Sequence, residues 1–201
     1  TQILGDITSN GGVSVIGPTM NDMPALAEVI QPAIDALAAE GINKIVLVTH
    51  LQQFALEQEL ATLLNGVDII VAGGSDVLMA QEDDVLRPGD AADEVYPFET
   101  MNADGDPVVV VGIPGEYTYV GRLLVDFTQD GIVVPESAAN ELNGVYASLD
   151  EVVNDLYGDA DPFAEGSKGE LVQRLTNAVQ AVVTAQDGNI IGKTSVYLEG
   201  R

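Results

Sequence analysis

Residues 67–76 read VDIIVAGGSD, an apolar run that ends at two glycines, a serine and a carboxylate. The run lacks the polar alternation of a half-exposed strand, so it predicts a strand buried on both faces, as in a parallel sheet covered by helices. The segment KIVLVTH, residues 44–50, repeats the pattern and ends at His50, the single histidine of the chain. With helical spacing between them, the two runs predict a parallel βαβ unit.

The remaining periodicity predicts an α/β chain with an antiparallel second half. Helices are predicted at residues 23–40, which Asn21 or Asp22 can cap, and at 53–64. After a long acidic loop at 79–96, an antiparallel meander is predicted from strands at 95–101, 107–113, 117–128 and 132–135. Further predicted elements are a strand at 13–17, helices at 149–157 and 169–186, and a last strand at 190–198.

Two local patterns in the second half carry further expectations. The segment NADGD, residues 102–106, resembles the start of a calcium loop, but it lacks the bidentate glutamate and lies between predicted strands, so it favours a hairpin turn. In the predicted strand at 117–128, the two-residue period places Tyr117 and Tyr119 on one face.

The charge balance limits the function classes. The 201 residues, enough for one domain, hold 32 acidic against 7 basic side chains, for a net charge of −25. Such a surface repels phosphate backbones and disfavours a nucleic-acid polymer as partner. The acids are scattered, which favours a solvated surface of the kind found in halophilic or marine proteins over an acidic cation-binding module. The chain has no cysteine, and no apolar run approaches the roughly 18 residues of a transmembrane segment.

His50 and Asp76 follow the two apolar strands directly. In open parallel sheets ligands bind outside the carboxyl ends of the strands, so neighbouring strands would place both side chains on one rim. Imidazole and carboxylate together suit zinc, manganese or iron and can also serve in acid–base chemistry. The alternatives are a hydrogen-bonded or capping histidine and a turn aspartate beside glycines that let the backbone bend.

Several segments, in order along residues 17–201, resemble a known family. GINKIVLVTHL at 41–51 is similar to its G-V-N-K-I-I-x-L-S-H-L segment, and GVDIIVAGG at 66–74 to its G-I-D-V-I-V-G-G-H-S-H segment. YTYVGRL at 117–123 resembles its Y-x-x-Y-L-G-R-L strand, and residues 192–201 resemble the linker before its substrate domain. The family is that of the 5′-nucleotidase-like and alkaline phosphatase-like metallophosphatases, in the calcineurin-like phosphoesterase superfamily.

The resemblance implies a four-layer αββα sandwich, of which this chain would be the C-terminal half of the catalytic domain within a longer, exported polypeptide. It implies divalent metal ions (zinc, manganese, magnesium or calcium), with His50 as a ligand. The family's G-H-S-H reads Gly73-Gly74-Ser75-Asp76 here when aligned without gaps, so Asp76 keeps a ligand atom and Gly74 does not. The catalytic residues and remaining ligands are expected in the N-terminal half, because its D-x-H and G-N-H-E segments do not occur in this sequence.

Two hypotheses follow. In the first, the chain is part of a metal-dependent phosphoester hydrolase that acts on a nucleotide or another phosphorylated small molecule. The chain alone would be inactive, and the rest of the polypeptide or a companion fragment would complete the site. The enzyme would be periplasmic, cell-surface or secreted. The alternative is a non-catalytic binding or surface protein on a degenerate metallophosphatase scaffold.

Overall fold

A computed structural model describes residues 21–186 of the chain. Residue contacts divide the chain into two units, Thr1–Val152 and Val153–Arg201, so the expectation of one domain stays a prediction. The strands predicted at 13–17 and 190–198, and the linker resemblance at 192–201, lie outside the described residues.

Helices and strands alternate at first and strands dominate afterwards. In chain order the elements are α1 (Met23–Ala39), β1 (Val46–Val48), α2 (Phe54–Leu63), β2 (Ile69–Ala72), β3 (Met79–Ala80), β4 (Glu94–Val95), β5 (Phe98–Met101), β6 (Pro107–Gly112), β7 (Tyr119–Arg122), α3 (Pro135–Ala138), β8 (Gly144–Ala147), α4 (Asp150–Tyr157) and α5 (Lys168–Gln186).

The main sheet has four strands in the order β1-β2-β6-β5. β1 and β2 are parallel, with Val48 opposite Val71, and β2 and β6 are parallel, with Ala72 opposite Gly112. β5 runs antiparallel to β6. The mixed α/β fold class and the parallel β1-α2-β2 unit are therefore confirmed. The carboxyl ends of three neighbouring strands meet at one edge of this sheet.

The helix predicted at 23–40 is confirmed as α1. The Asp22 carboxylate caps it by accepting a hydrogen bond from the backbone N–H of Ala25 at 3.0 Å, and Pro24 occupies its first turn. Its buried face packs with α2 into the core, whose fully buried side chains include Leu60, Leu64, Ile70 and Val110.

The prediction that residues 44–48 form a strand buried on both faces is wrong for the described part of the chain. Val46 is 53% exposed and Val48 is 73% exposed. The reason is position: β1 is the edge strand of the sheet formed within residues 21–186, whereas β2 and β6 lie inside it.

The predicted antiparallel pairing is present but does not run as one meander. β5 and β6 form a hairpin whose second strand also belongs to the parallel sheet, and β7 pairs with β8 in a separate sheet. The turn after β5 is a hairpin turn, as expected. Oδ1 of the buried Asn102 accepts hydrogen bonds from the N–H groups of Asp104 and Asp106, both at 2.9 Å.

The strand predicted at 117–128 is shorter in the structure. Glu116 and Tyr117 have positive φ angles of 62° and 57°, so regular strand geometry begins only at Tyr119. Tyr117 is consequently 96% exposed while Tyr119 is 2% exposed, and the prediction that they share a face is wrong.

The acidic segment at 79–96 is more ordered than a loop, because its ends pair as the short parallel strands β3 and β4. In the second unit, α5 matches the helix predicted at 169–186. No helix between residues 21 and 186 combines the length and hydropathy that crossing a membrane requires.

Candidate metal-binding rim

His50 lies in the loop that follows β1, and its side chain is exposed. The backbone ladder between β1 and β2 continues past the strands: Thr49 N–H donates to Val71 at 3.0 Å, and Gly73 N–H donates to Thr49 at 3.1 Å. These bonds bring the histidine loop beside the glycines that follow β2. The two segments expected at one rim are therefore neighbours.

The imidazole of His50 packs against Gly74. A Cβ atom built on Gly74 would lie 2.6 Å from Cε1, 2.8 Å from Nε2 and 3.0 Å from Nδ1 of that ring. Gly74 also has a φ of +78°, which L-residues with a side chain rarely adopt. The backbone angle at position 74 therefore favours glycine, and any side chain there would also have to displace the histidine ring.

Asp76 is exposed and belongs to the same edge of the sheet. Its Oδ1 accepts a hydrogen bond from the N–H of Gly115 at 3.3 Å, in the loop that follows β6. The carboxylate therefore links the segment after β2 to the segment after β6. Its second oxygen remains chemically suited to a cation or a hydrogen-bond donor.

A buried carboxylate lies behind the histidine loop. Glu57 of α2 is 0% exposed, and its Oε1 accepts hydrogen bonds from the Thr49 hydroxyl at 3.1 Å and the Leu51 N–H at 3.2 Å. Burial raises the pKa of the Glu57 carboxyl, and the bonds from Leu51 and Thr49 lower it in part. Sequence reasoning missed this residue, although its spacing from Phe54 and Leu60 places it on the apolar stripe of its helix.

A cavity of about 520 Å³ opens beside Asp76. Its wall includes Arg87, Asp90 and Tyr119. The Tyr119 hydroxyl donates to Asp90 at 2.7 Å and accepts from the backbone N–H of Arg87 at 2.8 Å, so it ties the acidic segment to β7. Burial raises the pKa of the Tyr119 phenol, and the bond to Asp90 adds to the rise.

The described residues do not complete a metal site. Across residues 21–186, no three or more histidine, aspartate or glutamate side chains are grouped closely enough to hold an ion. His50 and Asp76 have suitable donor atoms, but protein-bound zinc ordinarily takes at least three protein ligands. Their assignment as metal ligands therefore stays a prediction.

Known proteins similar to this chain are 5′-nucleotidases. The 5′-nucleotidase of Bos taurus is 28% identical over 200 residues, covering 94% of this chain and 31% of that protein. The snake venom 5′-nucleotidase of Crotalus adamanteus is 28% identical over 200 residues, covering 94% of this chain and 30% of that protein. The crystal structure of a 5′-nucleotidase precursor from Thermus thermophilus superposes with a TM-score of 0.62 at 22% identity, over 88% of this chain and 30% of that chain. The chain is 5′-nucleotidase-like.

No family model matches this 5′-nucleotidase-like chain. The chain spans about a third of the length of the curated relatives it matches. The resemblance stated from its sequence segments is confirmed by these relatives, and the Thermus structure confirms the fold.

Proposed function

We propose that this 5′-nucleotidase-like chain is part of a divalent-metal-dependent phosphoester hydrolase, and that His50 and Asp76 are its contribution to the metal centre. The similarity to 5′-nucleotidases over 94% of the chain carries the proposal. The geometry supports it, because an exposed imidazole and an exposed carboxylate follow neighbouring parallel strands at the edge where α/β sheets bind ligands.

The substrate is a nucleotide or another phosphorylated small molecule. The net charge of −25 argues against a nucleic-acid polymer, whose backbone this surface would repel. An imidazole and a carboxylate suit zinc or manganese, and a carboxylate also suits magnesium or calcium. When bound, such an ion would act as a Lewis acid on the phosphoryl group.

The 201-residue chain alone is inactive under this proposal. Residues 21–186 hold too few ligands for a metal centre, so the remaining ones come from the rest of the polypeptide or a companion fragment. The purified chain with added manganese or zinc should therefore not hydrolyse 5′-AMP above the buffer rate.

The decisive experiment uses the protein isolated from its native source. Its intact mass and any copurifying fragment give the full polypeptide, and elemental analysis gives its metal content. In that full protein, His50→Ala and Asp76→Ala should lower both metal content and 5′-AMP hydrolysis, whereas Asp104→Ala, the loss of a surface carboxylate, should change neither. Unchanged metal content and activity in both rim variants would exclude these residues from the centre.

A non-catalytic binding or surface protein is the second candidate, and Gly74 favours it. The family's imidazole at this position is absent here, and the ring of His50 occupies the space beside the glycine. A full protein that contains no divalent metal and hydrolyses no phosphomonoester would support this candidate over the enzyme.

We place the parent protein outside the cytoplasm, in the periplasm, on the cell surface or in the medium. One similar protein is a venom 5′-nucleotidase, and the scattered acidic surface suits a saline medium in which salt screens self-repulsion. Fractionation of the native cells, followed by immunodetection of this chain, tests the location.

A further inference from the structure

A buried carboxylate holds the histidine loop from both sides. One oxygen of Glu57 accepts hydrogen bonds from Thr49 and Leu51, the two residues that flank His50. The backbone of Thr49 is also bonded to Val71 and Gly73, whereas the structure assigns no regular secondary structure to Thr49, His50 or Leu51. The two bonds to Glu57 therefore add side-chain fixed points on either side of His50. Between them the chain has little freedom to move His50.

A glutamate at position 57 destabilises the fold relative to an apolar residue, because its carboxyl group is buried. The side chain is 0% exposed, and its other oxygen, Oε2, has no hydrogen-bond partner within residues 21–186. An unpaired buried polar atom is destabilising, and an apolar side chain of similar size would avoid that loss. Such local costs are concentrated at functional sites, where the position of a neighbouring group matters more than stability.

The imidazole of His50 packs against the backbone of Gly73 and Gly74. A Cβ atom on Gly74 would lie 2.6 Å from the imidazole, and a Cβ on Gly73 would lie 2.7 Å from the carbonyl oxygen of Thr49. Glycine at positions 73 and 74 keeps the side chains of these two residues out of this space. Glu57 fixes the loop on one side of His50, and the glycines accept the ring on the other.

We propose that Glu57 is the positioning residue of His50: its buried carboxylate holds the loop backbone so that the imidazole lies on Gly74 and faces outward from the rim. The inference deepens the proposed function and rests on it for its purpose, because a histidine needs a fixed ring only if that ring contacts a metal or a substrate. The geometry itself is testable without either.

The single histidine makes the test direct. In the 201-residue chain labelled at histidine, NMR gives one imidazole, and its ring protons should show nuclear Overhauser contacts to the α-protons of Gly74. Glu57→Leu should abolish these contacts and return the Gly74 α-proton shifts toward those of an unstacked glycine. Glu57→Gln, which keeps an acceptor oxygen for Thr49 and Leu51, should preserve both signals.

Two further variants control the result. Glu59→Leu removes an exposed carboxylate from the same helix and should leave the histidine signals unchanged. Thr49→Val removes the hydroxyl that donates to Glu57, together with its longer contact to the Val71 carbonyl at 3.3 Å, without changing α2. It should weaken the His50–Gly74 contacts in the same direction as Glu57→Leu. If Glu57→Leu does not fold, the comparison of Thr49→Val with Glu57→Gln decides the question.

The outcomes separate the inference from the proposed function. Persistence of the His50–Gly74 contacts in folded Glu57→Leu, or in Thr49→Val if the leucine variant does not fold, overturns the positioning role. The metal centre is tested separately, by the metal content of the full native protein with and without His50→Ala. Lost His50–Gly74 contacts in Glu57→Leu with unchanged metal content in His50→Ala would keep the positioning role and reject the metal site, and retained contacts with lowered metal content would do the reverse.

Discussion

The imidazole of His50 lies over Gly74 so closely that no Cβ atom fits between them. The contact joins the loop after β1 to the loop after β2, and it makes the identity of residue 74 part of the geometry of residue 50. A substitution at residue 74 should therefore change the position of the His50 ring, although the two residues are 24 positions apart in the sequence.

Gly74→Ala should destabilise the chain and displace the histidine ring. An alanine in the left-handed region costs about 1–2 kcal/mol, and the clash with three ring atoms adds to that cost. Gly105→Ala is the matched control, because Gly105 has a φ of +85° and nothing within 4 Å of a built Cβ. Urea unfolding should show a larger loss for Gly74→Ala than for Gly105→Ala.

The clash is isolated by a double-mutant cycle. His50→Ala removes the ring, so Gly74→Ala in that background should cost about as much as Gly105→Ala and no more. Equal costs of Gly74→Ala with and without the ring would show that the two residues are not coupled.

The rim could be predicted from sequence because it depends on strand order. Apolar runs of strand length, each followed directly by a polar residue, are enough to place His50 and the glycines at one edge once the strands are parallel. The same reasoning could not give the burial of β1, because an apolar strand looks identical at the edge and in the middle of a sheet. Only the strand order distinguishes Val46 from Ile70.

The misses arise from interactions that periodicity does not register. Glu57 is a carboxyl side chain on an apolar stripe, and it meets its partners Thr49 and Leu51 through tertiary contact. Tyr117 is exposed and Tyr119 is buried because Glu116 and Tyr117 both have positive φ angles. The two-residue period of a strand does not predict such angles. Local backbone geometry outweighs the pattern in that segment.

Tyr119→Phe should loosen the acidic segment beside the rim. The hydroxyl bonds to Arg87 and Asp90, and losing both contacts should cost about 1–3 kcal/mol. Hydrogen exchange should show faster exchange of the Arg87 amide, since its acceptor is gone. Tyr117→Phe, at a side chain that is 96% exposed, should change stability by less than about 0.5 kcal/mol. An unchanged exchange rate of the Arg87 amide in Tyr119→Phe would show that the Tyr119 hydroxyl does not hold the acidic segment in place.

Asn102→Ala should weaken the β5–β6 hairpin. It leaves the N–H groups of Asp104 and Asp106 without their acceptor, at a cost of about 1–3 kcal/mol. Asn102→Asp keeps an acceptor but adds a charge beside two carboxylates, a repulsion that salt screens. Unfolding measured at low and high salt should therefore show partial recovery for Asn102→Asp and a smaller salt response for Asn102→Ala. The same salt response in both variants would refute this account of the turn.

The stability of the main sheet should depend on pH through Asp68. Burial raises the pKa of its carboxyl above the ordinary value of 3.8, although the hydrogen bond from the Ile45 N–H at 2.7 Å and the charge of Lys44 lower it in part. Because the pKa is higher in the folded state, the folded chain binds this proton more tightly than the unfolded chain does. The contribution of Asp68 to stability is then fully present below pH 3.8 and is lost as the pH rises to the folded-state pKa.

Asp68→Asn keeps an oxygen that accepts from Ile45 but cannot ionise. The free energy of unfolding of the variant, minus that of the wild type, should rise as the pH increases from about 3.8 to the raised pKa and then level off. Urea unfolding at a series of pH values gives this difference, and Asp104→Asn is the matched control for the loss of one surface charge. A difference that stays flat, or falls, across the same range would mean that the folded chain does not hold the Asp68 proton.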